Sequence, residues 1–78
     1  MAIEFSELKV GDQARVVSCD AEGGQQALRL MSMGVVPGTT LKVVRVAPLG
    51  DPIEIRVRGF HLSLRREEAK GIQVEHVG

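Results

Sequence analysis

Alternation of apolar and polar residues is strongest in the carboxy-terminal half. Ile53-Glu-Ile-Arg-Val-Arg58 places Ile53, Ile55 and Val57 on one face and Glu54, Arg56 and Arg58 on the other. After Gly59, Phe60-His-Leu-Ser-Leu64 puts Phe60, Leu62 and Leu64 inward and His61 and Ser63 outward. Two such runs joined at a glycine predict a β-hairpin over 53–64. Thr39 to Val46 is rich in β-branched residues and reads as a further strand, except that Val43 and Val44 break the alternation. A bulge that resets the register, or partial cover on both faces, resolves that conflict. Gln13 to Cys19 also reads as a strand, but Ala14, Val16 and Ser18 on one side and Arg15, Val17 and Cys19 on the other leave its buried face undecided. Ile72 to Val77 is the last strand, with Ile72 and Val74 inward. Ser6 to Gly11 and Arg65 to Ala69 are expected to be single turns, the second of 3₁₀ type.

The stretch from 23 to 33 follows a different period. Ala27, Leu30 and Met31 fall at i, i+3 and i+4, and Leu28 widens the stripe. Gly34 offers a residue able to take positive φ at a helix end, and Pro37 prevents a return to helix. One helix of two or three turns is predicted, reached by the polar link Asp20-Ala-Glu-Gly-Gly24. So short a helix is marginal alone and must dock on the sheet. Five strands, a hairpin, an inserted helix and a 3₁₀ turn predict an all-β fold, a small five-stranded SH3-like barrel whose closure hides its sheet edges.

Composition narrows the rest. At 78 residues the chain reads as one domain spanning 1–78, near the lower size limit for a self-supporting core. Two Phe and no Tyr or Trp leave a core of Val, Leu, Ile and Met. The single Cys19 cannot form an internal disulfide, and no secretory leader or membrane-spanning run is evident, so a cytoplasmic location is expected. Ten basic residues balance ten acidic ones. Between 42 and 66, however, Lys42, Arg45, Arg56, Arg58, Arg65 and Arg66 face only Asp51 and Glu54. Overall neutrality and the lack of aromatic platforms weigh against a nucleic-acid binder, although a small barrel of that kind is the alternative reading. The same lack of aromatics excludes a polyproline-binding groove.

From Leu8 to Val77 the chain resembles the FeoA family. The residues that carry this are Leu8-x-x-Gly11, Arg29-Leu-x-x-Met33-Gly34-x-x-Pro37-Gly38, Gly50-Asp-Pro52 followed by the Gly59 hairpin, and Leu64-Arg65 with Glu68-Ala69 before Ile72-x-Val74. The resemblance implies an SH3-like barrel with an inserted helix and no catalytic residues. It also implies a role as accessory or regulator of the membrane ferrous-iron transporter FeoB, which has a cytosolic GTP-binding domain.

The residues themselves carry no enzymatic constellation. His61, His76 and Cys19 are not patterned with a partner base, Gly23-Gly24 lacks the spacing of a nucleotide loop, and no cofactor is expected. No metal site is expected either: Glu75 and His76 point to opposite faces, Glu67-Glu68 reads as a solvated pair, and Met31 and Met33 are soft ligands ill-suited to ferrous iron. Two surfaces remain. Leu28, Leu30, Met31 and Met33 either all face the barrel and plug one end of it, or form a stripe too wide for one contact, which leaves one or two of them exposed beside Val35 and Val36 to receive FeoB or a second copy of the chain. Lys42, Arg56 and Arg58, with Arg65 and Arg66 near one end, form either an ordinary solvated strand face, as alternating Arg and Glu usually do, or a secondary basic surface suited to an acidic partner or anionic headgroups.

Overall fold

The computed structural model describes residues 2–19 and 24–77, with helix side chains from Leu28 onward. Of the expected link at 20–24, residues 20–23 lie outside the described residues, as does the side chain of Ala27, and Gly24 begins the helix. The strands are β1 (Ile3–Glu4), β2 (Gln13–Cys19), β3 (Thr40–Val46), β4 (Ile53–Val57), β5 (Phe60–Leu64) and β6 (Ile72–His76). Helix α1 spans Gly24–Ser32 between β2 and β3. The strands form a single antiparallel sheet in the order β1-β6-β2-β3-β4-β5.

Among the described residues six strands stand where five were expected. The additional one, β1, is two residues long and too short to show alternation; it pairs Ile3 with Val74 and Glu4 with Gln73. The expected turn also comes earlier, as a 3₁₀ helix over Phe5–Glu7 closed by a 3.0 Å bond from the Glu4 amide to the Glu7 carboxylate. This turn drives Phe5 into the core with no exposed surface. Among the described residues β1 and β5 are the outer strands and do not pair with each other.

Bulges explain the two ambiguous strands. In the β3–β4 pairing Val43 sits opposite Ile55 and Arg45 opposite Glu54, so Val44 is the extra residue. In the β2–β6 pairing Val16 sits opposite Val74 and Ser18 opposite Gln73, so Val17 is extra. Before Val17, Ala14 and Val16 face the core; after it the parity shifts and Cys19 packs inward. Each bulge bends its strand and helps curl the sheet around Val16, Leu41, Val43, Ile55 and Val74.

Phe60 corrects the expected alternation. Leu64 is buried and Leu62 is half-buried, whereas Phe60 remains 43% exposed. It begins the outer strand β5 at the hairpin tip, opposite Val57, so packing reaches it from one side only. The segment after β5 forms tight turns, in which the amides of Glu68, Ala69 and Ile72 donate hydrogen bonds to the carbonyls of Arg65, Arg66 and Ala69. Ala69, 2% exposed, closes the core there.

Candidate functional site

Helix α1 ends in a Schellman motif, which sets the faces it presents. The Val35 amide donates to the Leu30 carbonyl at 3.0 Å and the Gly34 amide to the Met31 carbonyl at 3.1 Å. Gly34 takes φ +98°, the left-handed conformation that the motif requires. Leu30 and Val35, the two positions whose apolar contact accompanies this motif, are both buried in the core. Arg29 Nη1 donates to Glu68 Oε2 at 2.7 Å, and Glu68 Oε1 also accepts from the Arg65 amide at 2.9 Å. Glu68 is therefore no solvated residue: it ties the helix to the turn before β6. The exposed Arg29 limits the net strength of this pair to about 0–1 kcal/mol, so the helix's rotation is set chiefly by Leu30 and Val35 in the core and by the Schellman closure.

With that rotation fixed, Leu28 is 66% exposed and Met31 38% exposed. Met33 and Val36 are half-buried beside them in sequence, Met33 against the core. Of the six residues expected to form an apolar contact surface, Leu30 and Val35 are instead core residues. Leu28 and Met31 present the open face.

The expected basic surface also divides. Lys42 and Arg56 are directly opposite each other on β3 and β4, and Gln13 and His61 continue that row across β2 and β5. Lys42, Arg56 and Arg58 line an open groove of about 360 Å³ with Gln13, Thr40, Leu41 and Gly59. Arg58, at φ +51°, and Gly59, at φ +86°, form the two-residue hairpin turn. A Cβ built on Gly34 would stand 3.3 Å from Arg58 Cδ, so the arginine stem lies against the helix exit turn.

Arg65 and Arg66 do not join this surface. Arg65 Nη1 lies 3.6 Å from Asp51 Oδ2. Arg66 donates from Nε to the Gly50 carbonyl and from Nη1 to the Ser6 carbonyl, both at 2.6 Å, while its amide donates to Asp51 Oδ1 at 2.8 Å. These bonds pin the 47–52 loop and the amino-terminal turn together. The sequence signal for this role is Asp51 within Gly50-Asp51-Pro52, an acid set in a loop that Arg65 and the Arg66 amide both reach.

Other titratable groups are structural. Arg15 pairs with Glu75 across β2 and β6, and its hydrogen bond and charge lower the Glu75 carboxyl below its ordinary value. Asp12 accepts a 2.8 Å bond from the Lys9 amide, the main cause of its lowered pKa, and lies 3.4 Å from His76 Nε2. Burial raises the Cys19 thiol, whose Sγ lies 3.6 Å from the Val35 carbonyl. Among the described residues no group of three or more His, Cys, Asp or Glu side chains is placed to hold a metal ion. No helix among them is long and apolar enough to cross a membrane.

The family model of the FeoA domain matches residues 3–76. The chain belongs to the FeoA domain family. Over 73 residues it is 44% identical to the Fe(2+) transport protein A/Fe(2+) transporter FeoB fusion protein of Porphyromonas gingivalis. That match covers 94% of this chain and 8% of the fusion protein, so the chain spans less than a tenth of the relative's length. The solution structure of the FeoA protein from Chlorobium tepidum is 50% identical with a TM-score of 0.84, covering 97% of this chain and 71% of that one. FeoA of Stenotrophomonas maltophilia, solved with zinc, is 32% identical with a TM-score of 0.79, covering 96% and 89% of the two chains. That protein is described as a prokaryotic SH3 domain protein and a candidate activating factor of ferrous iron transport. The expected SH3-like class and the link of this family to ferrous iron transport therefore hold, with the strand count among the described residues corrected to six.

Proposed function

We propose that this FeoA domain is a non-enzymatic accessory module that binds the cytosolic, GTP-binding part of a FeoB-type ferrous-iron transporter and alters its assembly or nucleotide-dependent activity. The observation that carries the reading is the exposed pair Leu28 and Met31 on a helix anchored from beneath by Leu30. Leucine and methionine held out on a rigid element make an apolar contact at little ordering cost, because the helix is already docked. Support for the partner comes from the Porphyromonas gingivalis relative, in which transport protein A and FeoB are one polypeptide. Fusion of two units raises their effective concentration and favours pairs that work in contact.

The test is a titration of the domain against FeoB in nanodiscs, with and without guanine nucleotide. Saturable binding is expected, weakened about tenfold or more by Leu28→Glu or Met31→Glu, as for central apolar anchors of an interface. Both variants are expected to keep the unfolding midpoint of the parent. Binding unchanged in both variants would remove the helix face from the contact, and no binding of the parent under any condition would remove the transporter reading.

A further inference from the structure

The groove between β3 and β4 has features that the transporter reading does not use. The other arginines of the described chain have internal partners: Arg15 with Glu75, Arg29 with Glu68, Arg45 with Glu54, Arg65 with Asp51, and Arg66 with two carbonyls. Lys42, Arg56 and Arg58 have no such ion pair among the described residues, and no carboxylate lines the groove they share.

Two local arrangements work against stability there. Lys42 and Arg56 are cross-strand neighbours, and like charges directly opposite on a sheet repel each other. Arg58 occupies a left-handed turn position at φ +51°, where Asn, Asp or Gly fits with less strain. Its stem passes close to Gly34, and the side chain is exposed beyond that point. A repulsive pair and a strained turn that converge on one acid-free groove match a site whose cost is offset by an anionic ligand.

Shape selects among anions. The groove is bounded by β3, β4 and the hairpin turn that follows β4. Thr40 and Lys42 are two apart on β3, Arg56 stands opposite Lys42 on β4, and Arg58 follows in the turn just beyond the end of β4. Positions two apart on a strand lie roughly 6–7 Å from each other, the same repeat at which an extended peptide presents alternate side chains on one face. Three cations around a concavity are few for a flat lipid surface, where recognition typically uses clusters of about 4–8. Base stacking needs aromatic platforms, and none lines the groove.

We propose that the Lys42–Arg56–Arg58 groove binds an extended acidic peptide segment of a partner protein, with carboxylates at alternate positions paired to Arg56 and Arg58 and flanked by Lys42. Gln13 and Thr40 supply hydrogen bonds to the peptide's backbone or polar side chains. The site is separate from the Leu28–Met31 face and holds whether or not the helix meets a transporter.

The test uses fluorescence anisotropy of a labelled octapeptide of alternating Glu and Thr, against a peptide of the same composition with its glutamates in one block. The alternating peptide is expected to bind at least about fivefold more tightly, and to lose affinity several-fold between about 20 and 200 mM salt. Arg56→Gln/Arg58→Asn is expected to weaken binding at least about tenfold, since each charge-assisted arginine contact is among the stronger hydrogen bonds. Asn suits the turn position, so this variant is expected to unfold no earlier than the parent. Arg45→Gln, which removes a cation outside the groove, is expected to leave binding unchanged. Equal affinity for the two peptides, equal loss in Arg45→Gln, or no binding at low salt would overturn the proposal. Tighter binding of a short oligothymidylate or of phosphatidylserine vesicles than of the alternating peptide would assign the groove to another class of partner.

Discussion

Replacing Leu30 by alanine isolates the contribution of helix docking. Leu30 is 1% exposed and is the one described side chain of α1 that belongs to the core. Deleting a buried leucine side chain to alanine costs about 2–5 kcal/mol, combining lost transfer energy with the cavity left behind. A domain of 78 residues has a total stability of roughly 4–12 kcal/mol at the usual 0.05–0.15 kcal/mol per residue. Leu30→Ala is therefore expected to remove about a sixth or more of the stability, and a loss of about 3 kcal/mol lowers Tm by roughly 12–24 °C for a domain of this size. Leu28→Ala is the matched comparison. Leu28 is 66% exposed, so its truncation is expected to stay within about 0.5 kcal/mol of the parent. With no Trp or Tyr in the chain, the assay is urea unfolding followed by far-ultraviolet circular dichroism. Equal midpoints for the two variants would refute the assignment of inner and outer helix faces. Loss of helical signal ahead of an unchanged sheet transition would refute the docking of α1 as part of one cooperative core.

Two further outcomes follow from the polar anchors. Arg66→Ala removes the side-chain bonds to the Gly50 and Ser6 carbonyls and is expected to destabilise by about 1–3 kcal/mol, with the largest increase in amide exchange at Gly50 and in the 5–8 turn; uniform exchange changes would contradict a local staple. Glu75 and Asp12 have folded-state pKa values below their ordinary 4.5 and 3.8, so their contributions to stability are present above those values and disappear as pH falls through the depressed ones. In Arg15→Gln, carboxyl NMR titration is expected to show Glu75 moving back up while Asp12 stays, and an unmoved Glu75 would contradict the cross-strand pairing as the cause.

Legibility in the sequence depended on how much of each signal was local. The β4–β5 hairpin was readable because alternation and its turn glycine lie within a dozen residues, and the bulge at Val44 announced itself as two adjacent valines. Val17 gave no comparable cue: its displacement depends on β6, more than fifty residues away, and only the pairing of Val16 with Val74 and Ser18 with Gln73 exposes it. Phe60 shows the converse limit, since alternation gives the side a residue faces but not whether anything covers that side. Helical spacing identified an apolar stripe on α1 without its rotation, which is decided by the Schellman closure and by Leu30 and Val35 entering a core built from distant strands. Arg65 and Arg66 were read with the other basic residues because composition counts charge without partners. Their partners, Asp51, Gly50 and Ser6, are brought to them by the fold.

The proposed docking of α1 on FeoB is tested most directly by photo-cross-linking from single positions. A photoreactive residue at 28 or 31 is expected to cross-link to the cytosolic part of FeoB in nanodiscs, whereas one at Val10, 60% exposed on the turn before β2, is expected to yield little. Cross-links from Val10 with none from 28 or 31 would contradict the helix as the contact surface.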